Sequence, residues 1–390
     1  MIKLTSIHPF PARMAPELVR EALKFVPTGG RVLDPMCGSG TVPRAVVEAG
    51  HKCVGVDIDP LAVMMSQVWT SRLDPEAIIV DAADLIQKAE SLHPSTVQRP
   101  TDLETREFIS YWFAAKQEDE LARLTTVLRR YDAPTKPALM IALSRIIVSK
   151  EMMASLARDT SHSRPHRVAE ENDFDVYAGF QRAAQLVARR LRPERIVGEA
   201  SIRLGDARTL DGIGDNKFDL VLTSPPYLNA IDYIRGHKLS LVWMGYVMAS
   251  LRKTRASNVG AERIMPRHPN SPKISPYVSR ADGSTIGSRH LGWIRRYAVD
   301  MEAVLRQVYR TVKKSGYVVM VLGNSFIRGA KVNNAQLIEA LATRNGFRVQ
   351  SRRIREIPAR RRYLPPPGDG KNALDTRIRT ETVLTLRPAV

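Results

Sequence analysis

Residues 31–57 contain the arrangement that most narrows the choice of fold. A short apolar strand ends in Asp34, and residues 34–41 read Asp-Pro-Met-Cys-Gly-Ser-Gly-Thr. A helix over 42–49 and a second apolar strand ending in Asp57 follow. Strands that alternate with helices in this way are typical of α/β folds. We therefore predict an α/β fold with a mostly parallel, doubly wound sheet.

The turn between these strands is suited to bind a ligand. Gly38 and Gly40 allow a tight turn and a close approach of the ligand to the backbone, and the following helix offers free N–H groups. The turn lacks the Gly-Lys-Ser/Thr of a Walker loop and the full dinucleotide fingerprint. Asp57 stands about 20 residues beyond, where Rossmann-like folds place a carboxylate on ribose hydroxyls. Asp59 is a candidate cap of the next helix.

A second stretch, residues 219–227, reads Asp-Leu-Val-Leu-Thr-Ser-Pro-Pro-Tyr. Its apolar part predicts a buried strand, which Pro225 and Pro226 must end because proline has no N–H for the ladder. Ser224, the Pro225 carbonyl and the Tyr227 ring then lie at the carboxyl end of the strand, where open α/β sheets bind ligands. They suit a planar base with an exocyclic amino group. The alternative is a plain strand followed by a proline-rich turn.

Three segments together resemble the S-adenosylmethionine-dependent amino-methyltransferases that act on DNA. Residues 32–62 resemble motifs I and II, residues 219–227 resemble motif IV, and residues 8–14 (His-Pro-Phe-Pro-Ala-Arg-Met) resemble motif X. The Ser-Pro-Pro-Tyr form is most similar to the cytosine-N4 branch, whereas the adenine-N6 branch more often has Asp or Asn first. The resemblance implies a Rossmann-like class I methyltransferase fold with S-adenosylmethionine as methyl donor.

The resemblance also implies roles for single residues. It assigns catalysis to Ser224, Pro225, Pro226 and Tyr227, and contacts with S-adenosylmethionine to Phe10, Asp34, Pro35, Gly38, Gly40, Thr41, Asp57, Asp206 and Thr223. Phe10 would cover the methionine part, and Asp206 would approach the adenine end. The competing interpretations are a core phenylalanine that anchors a loop and a solvated turn aspartate.

The two cysteines, Cys37 and Cys53, fit a reducing compartment and exclude a cysteine-rich zinc module. Cytosine-C5 methyltransferases carry a Pro-Cys pair, which this sequence lacks, so we expect Cys37 to be a small packing residue. His162 and His166 stand four residues apart without the glutamate of a zinc-protease motif. We therefore expect no metal site.

The resemblance covers about residues 1–70 and 200–390 and divides the chain into three parts. We predict cofactor motifs in 1–74, a mainly helical insertion in 75–200 and the second part of the core in 201–390. The insertion is either a target-recognition region for DNA or a structural cap over the cofactor site. We place the third core strand in residues 201–207, with Asp206 at its end, and keep 77–81 as the alternative.

Charge points to a polyanionic partner. The 390 residues include 59 Lys and Arg against 40 Asp and Glu, a net charge of +19. Residues 251–290 are basic and rich in Ser, Pro and Gly, so we expect a flexible loop that contacts DNA phosphates, or else a solvated surface loop. Arginines between the last two strands predict a hairpin that follows a DNA backbone.

These patterns predict a methyltransferase that modifies a flipped base in double-stranded DNA, with cytosine N4 as the first choice of target. Adenine-N6 and RNA amino-methyltransferases are the alternatives within the class, and a non-catalytic DNA-binding protein is the alternative outside it. A restriction endonuclease that acts on the same site is a candidate partner. No apolar run approaches the roughly 20 residues that span a bilayer, and no signal-peptide stretch is present at 1–5, so we expect a cytoplasmic protein without membrane contact.

Overall fold

A seven-stranded sheet organises the computed structural model, which describes residues 4–159, 164–228, 232–261, 272–280, 286–327, 330–358 and 379–389. The strands in chain order are β1 (Arg31–Asp34), β2 (Lys52–Asp57), β3 (Ala157–Arg158), β4 (His166–Arg167), β5 (Glu199–Leu204), β6 (Phe218–Thr223), β7 (Val278–Arg280), β8 (Val312–Gly323), β9 (Ser325–Ile327), β10 (Ala330–Val332), β11 (Phe347–Glu356) and β12 (Thr380–Pro388). Two smaller sheets, β7-β10-β9 and β3-β4, lie outside the main one.

The main sheet has the order β11-β12-β8-β6-β1-β2-β5. The five strands from β8 to β5 run parallel, and β12 and β11 add an antiparallel edge. The chain builds outward from β1 to β2 and β5 on one side and from β6 to β8 on the other, so the order reverses between β1 and β6. This confirms the predicted Rossmann-like α/β fold. A ligand site is expected where the order reverses, at the carboxyl ends of β1 and β6.

Helices cover both faces of the sheet and fill the segment between β2 and β5. They are α1 (Pro16–Ala22), α2 (Thr41–Glu48), α3 (Pro60–Trp69), α4 (Pro75–Glu90), α5 (Leu103–Trp112), α6 (Ala115–Arg130), α7 (Lys136–Arg145), α8 (Val176–Leu191), α9 (Tyr233–Leu241), α10 (Met248–Ser257), α11 (Ser288–Thr311) and α12 (Asn334–Arg344). No helix in the described ranges is long and apolar enough to cross a bilayer.

The third core strand is β5, which pairs in parallel with β2. The alternative placement at 77–81 is wrong, because these residues belong to α4. Asp74 caps that helix and Pro75 occupies its first turn. Its buried residues recur at helical spacing and are Ile78, Ala82, Leu85 and Ala89.

Helices α4–α8 share one apolar core with α3, α9 and α10. Three contacts tie this segment to α9, α10 and the turn between them. The Met248 N–H donates to the Thr105 hydroxyl at 3.0 Å, the Ser144 hydroxyl donates to Ser240 at 2.9 Å, and the ring of Phe113 meets Trp243 edge-on. The helices of residues 75–200 therefore support the chain that follows the Ser-Pro-Pro-Tyr loop (residues 224–227). We propose that 75–200 is an insertion.

The predicted loop over 251–290 is wrong at both ends of that segment. Residues 251–257 complete α10, because Met248 and Leu251 pack into the helical core. Residues 278–280 form β7 on the small sheet, and α11 starts at Ser288. Residues 262–271 and 281–285 lie outside the described residues.

The last two strands form the expected antiparallel pair, β11 with β12. Three arginines of β11 form ion pairs with acids of this chain: Arg352 with Glu339, Arg353 with Glu21, and Arg355 with Glu381. These arginines protect an edge strand from pairing with other chains. The arginines and prolines over 360–368 lie outside the described residues, so a hairpin that follows DNA stays a prediction.

Gly40 provides a test of the packing between α2 and α3. Its φ is +88°, and a Cβ there would lie 2.8 Å from the Ser66 Cα, whereas Gly50 has a φ of +81° with its nearest neighbour at 3.8 Å. We expect Gly50→Ala to lower the free energy of unfolding by about 1 kcal/mol through backbone strain. Gly40→Ala should cost a further ~1–3 kcal/mol because backbone must move. Urea unfolding measures both, and equal losses would contradict this packing.

Candidate active site

A solvent-open cleft lies at the carboxyl ends of β6, β1, β2 and β5. Each of these strands supplies a polar residue at or just after its end. In sheet order they are Ser224, Asp34, Asp57 and Asp206. The predicted residues that line the cleft are Phe10, Asp34, Pro35, Gly38, Thr41, Asp57, Asp206, Ser224 and Pro226. The fold therefore brings together the segments that the sequence analysis singled out separately.

Four predicted residues do not line the cleft. Gly40 packs on Ser66, and Thr223 and Pro225 are buried. The ring of Tyr227 lies against Gly323 at the end of β8, where a Cβ would come within 2.7 Å of it. The stacking of Tyr227 on a base stays a prediction.

The glycine turn is covered by an aromatic ring. Gly38 has a φ of +49°, and a Cβ there would lie 3.1 Å from the Phe10 ring. Phe10 stacks on Tyr233 with ring centroids 4.9 Å apart and planes 15° apart. Phe10 therefore lines the cleft and also anchors the N-terminal segment. Its contact with the methionine part of the cofactor stays a prediction.

Asp57 connects the two turns of the cleft. Its carboxylate accepts the Gly38 N–H at 2.8 Å and the Asp59 N–H at 3.0 Å. Burial raises its pKa to about 6. Asp59, as predicted, caps α3 by accepting the Leu61 N–H.

Asp34 is almost fully buried at the end of β1. Burial raises its pKa to about 7, while the Thr223 side chain and the Met36 N–H partly offset the increase. The charge of Asp57 raises it further. Two neighbouring carboxylates with raised pKa values are suited to a cationic ligand, which would return both to their charged forms.

The Ser224 hydroxyl has a defined direction. Its proton goes to the Val321 carbonyl on β8, with the oxygens 3.1 Å apart. Because this proton is engaged, the Ser224 oxygen offers its lone pairs and acts as an acceptor. Its residue lines the cleft, so the acceptor is available to a ligand there.

Asp206 lies beside Arg208, whose guanidinium binds both carboxylate oxygens at 2.6–3.1 Å. Burial raises the pKa of Asp206, but the hydrogen bonds from Arg208 outweigh it, and the pKa lies below its usual value. Arg208 also binds Asp300 and the Ser257 carbonyl. Asp206 is thus a partly exposed residue held by Arg208, and its contact with the cofactor stays a prediction.

Cys37 is buried, and burial raises the pKa of its thiol well above the usual value. A thiol held in its neutral form is a poor nucleophile, which agrees with the predicted packing role. Within the described ranges, no three His, Cys, Asp or Glu side chains are grouped so that they could hold a metal ion.

Sequence reasoning missed several residues of the cleft. One of them is Tyr233 on α9. His237, four residues later on that helix, contacts the cleft residue Asp59, with its Nδ1 2.5 Å from the carboxylate. The spacing of the two rings on one helix face was the only signal for them. Asn258 and Val259, which follow α10, carried no signal because they sit in a segment predicted as loop.

No family model matches the chain. It is 22% identical over 412 residues to the Type II methyltransferase M.MvaI of Kocuria varians, covering 96% of this chain and 88% of that protein. It is 22% identical over 260 residues to the Type II methyltransferase M.BsoBI of Geobacillus stearothermophilus, covering 59% of this chain and 50% of that protein. These similarities confirm the resemblance that the motifs predicted.

Among solved structures, the chain is similar to a SAM-dependent methyltransferase of Methanosarcina mazei. The two share 8% identity with a TM-score of 0.35, and the match covers 97% of this chain and 100% of that one.

Asp34 allows a test of the buried carboxylate. Its pKa is about 7 in the folded chain against an ordinary value of 3.8, so the folded chain loses stability as pH rises from about 4 to 7. We expect Asp34→Asn to raise the free energy of unfolding by roughly 1–4 kcal/mol at pH 8 and to change it little at pH 4.

Asp219 is the matched control, since its pKa is shifted in the opposite direction from that of Asp34. Burial raises its pKa, but the Arg31 N–H and Lys313 outweigh this and lower it. Its stabilisation is present above the ordinary pKa and is lost as pH falls through the folded value. Asp219→Asn should therefore be less stable than the parent at pH 8. Urea unfolding at both pH values measures the free energy of unfolding of each variant. If Asp34→Asn were less stable than the parent at pH 8, the charge of the buried Asp34 carboxylate would not destabilise the folded chain.

Proposed function

We propose that this chain is a DNA methyltransferase that moves a methyl group from S-adenosylmethionine to the exocyclic amino nitrogen of a flipped base, with cytosine N4 as the target. The observation that carries the proposal is the direction of the Ser224 hydroxyl. Its proton is held by the Val321 carbonyl, so its oxygen presents an acceptor to the cleft. An acceptor at this point suits the hydrogens of an amino group.

The residues of the cleft fit S-adenosylmethionine, which supplies an activated methyl group when bound. Asp34 and Asp57 have raised pKa values, and a ligand with a sulfonium and an ammonium group would relieve that cost. Gly38 brings backbone close to the cleft without a side chain in the way, and Phe10 lies over it. We assign Asp57 to the ribose hydroxyls and the turn around Gly38 to the methionine part.

The chemical task for the chain is mainly alignment. An exocyclic amino nitrogen is a poor nucleophile because its lone pair is conjugated into the ring. The Ser224 oxygen and the Pro225 carbonyl would accept its two hydrogens and turn the lone pair toward the methyl group. These hydrogen bonds strengthen as the nitrogen gains positive charge, so they favour the transition state. Ser224 is too weak a base to remove a proton first, and proton loss therefore follows transfer.

Charge and relatives support DNA as the substrate. The net charge of +19 favours a polyanion, and the two relatives are named Type II methyltransferases. A target base inside a duplex must leave the stack to reach the cleft, and Tyr227 would stack on it there. A restriction endonuclease for the same site and a cytoplasmic location are further parts of this proposal.

Ser224 and Asp57 should separate catalysis from cofactor binding. We expect Ser224→Ala to lower the rate of methyl transfer by about 10- to 100-fold because one transition-state hydrogen bond is lost, with S-adenosylmethionine affinity nearly unchanged. Asp57→Ala should weaken that affinity first. Single-turnover rates and calorimetric titrations measure the two effects.

Ser91→Ala is the control for these variants, since that exposed hydroxyl donates to the Lys88 carbonyl far from the cleft. It should leave both quantities unchanged. A parallel loss of rate and affinity in Ser224→Ala would contradict the role assigned to the serine.

The target base is identified by mass spectrometry of nucleosides from DNA treated with the purified protein and S-adenosylmethionine. We expect N4-methylcytosine. N6-methyladenine would keep the reaction but show that Ser224 does not select the base. Methylation of RNA with none in DNA would refute DNA as the substrate, and the Ser224→Ala protein shows whether any methylated base depends on this site.

A further inference from the structure

The β5 end of the cleft is built differently from the end that holds the glycine turn. Ile58, Ala207 and Val259 provide apolar walls there, and Asp206 and Asn258 provide polar groups. Apolar walls with a few polar groups are typical of a site for a flat aromatic ring that shows its polar edge to the protein.

Asp206 is already occupied by its own chain. One oxygen accepts the Arg208 backbone N–H and Nε, both at 2.9 Å, and the other accepts Nε at 3.1 Å and Nη2 at 2.6 Å. The Nε–H is shared between the two oxygens, so three N–H donors fill most of the roughly four lone-pair sites of this carboxylate. A ligand amino group at this end would have to compete with Arg208 for Asp206.

The side-chain oxygen of Asn258 differs from the Asp206 carboxylate in its hydrogen bonds. This oxygen is shielded from solvent, and no described residue donates a hydrogen bond to it. A buried amide oxygen without a partner costs free energy, which a ligand donor can recover. The residue also lines the cleft.

The backbone around Asn258 is held in place. The carbonyl of Ser257 accepts a hydrogen bond from Arg208 at 2.7 Å, and the carbonyl of Asn258 accepts the Ala261 N–H at 3.0 Å. The side-chain oxygen thus has no donor among the described residues, although the backbone on both sides of it is held by hydrogen bonds. Asp206 contributes to this arrangement by holding Arg208, which joins the end of β5 to the end of α10.

We infer that the side-chain carboxamide of Asn258 reads the adenine of the methyl donor, with its oxygen accepting the 6-amino group. This inference rests on the proposed function. An asparagine carboxamide can also donate to a ring nitrogen of adenine, so it matches both kinds of group on the base edge. Asp206 is then a positioning residue, in place of the direct contact that the resemblance implied.

The test compares two unreactive ligands with the full-length chain. One is S-adenosylhomocysteine, and the other is its analogue with hydrogen in place of the 6-amino group. Calorimetry gives the dissociation constant of each for the parent, for Asn258→Ala and for Asn258→Asp. Thr254→Val, one turn earlier on α10, is the matched control because its hydroxyl donates to the Ser250 carbonyl.

We expect the parent to bind the amino ligand about tenfold more tightly than the analogue. Asn258→Ala should bind the two equally, by weakening only the amino ligand. Asn258→Asp keeps an acceptor and should keep the preference, as should Thr254→Val. If Asn258→Ala does not fold, equal binding of the two ligands by Asn258→Asp would overturn the inference, because that variant keeps the acceptor.

Two results would overturn the inference while leaving the proposed function intact. One is a parent that binds both ligands equally, and the other is an Asn258→Ala protein that keeps the parent's preference. If the parent binds neither ligand, the proposed function itself fails. The outcomes therefore separate the two claims.

Discussion

The carboxylate of Asp57 is the interaction on which the cleft depends. It accepts the N–H of Gly38 from the turn after β1 and the N–H of Asp59 from the turn after its own strand. These two bonds join the loops of neighbouring parallel strands at the point where each leaves the sheet. Because the carboxylate is buried, its pKa rises to about 6. Its charged form is therefore unfavourable in the empty cleft, and a cationic ligand would stabilise it.

A second set of contacts links the cofactor side of the cleft to the loop that follows β6. His237 on α9 meets Asp59, and Tyr233 at the start of the same helix stacks on Phe10. Further along, Ser240 accepts from Ser144, which is itself within 3.0 Å of the His8 ring. The N-terminal segment, α7 and α9 are thus held in one polar network, and the helices of 75–200 act as its support.

Arg208 plays a comparable part at the other end of the cleft. It bridges Asp206, Asp300 and the Ser257 carbonyl, which belong to three different segments. Its pKa is raised by these acids, so it stays charged throughout the range in which proteins work. Such a bridge fixes the β5 end of the cleft to the end of α10 and to α11.

The sequence by itself determined the parallel α/β core, the glycine turn and the proline-ended strand, because each depends on neighbours within a few residues. Strand ends, caps such as Asp59 and positive φ at Gly38 are local choices, and they place polar groups at one edge of the sheet. The same local reading also favoured a loop over 251–257, which tertiary packing of Leu251 turned into helix.

Only the tertiary structure decided which polar groups are free to meet a ligand. Whether Asp206 is open or occupied depends on Arg208 and on Asp300, and whether Asp59 pairs with His237 depends on a contact across 178 residues. Partners so far apart leave no periodic signal in the sequence. The physical reason is that desolvation and hydrogen bonding act through space, so the state of a carboxylate is set by the whole fold around it.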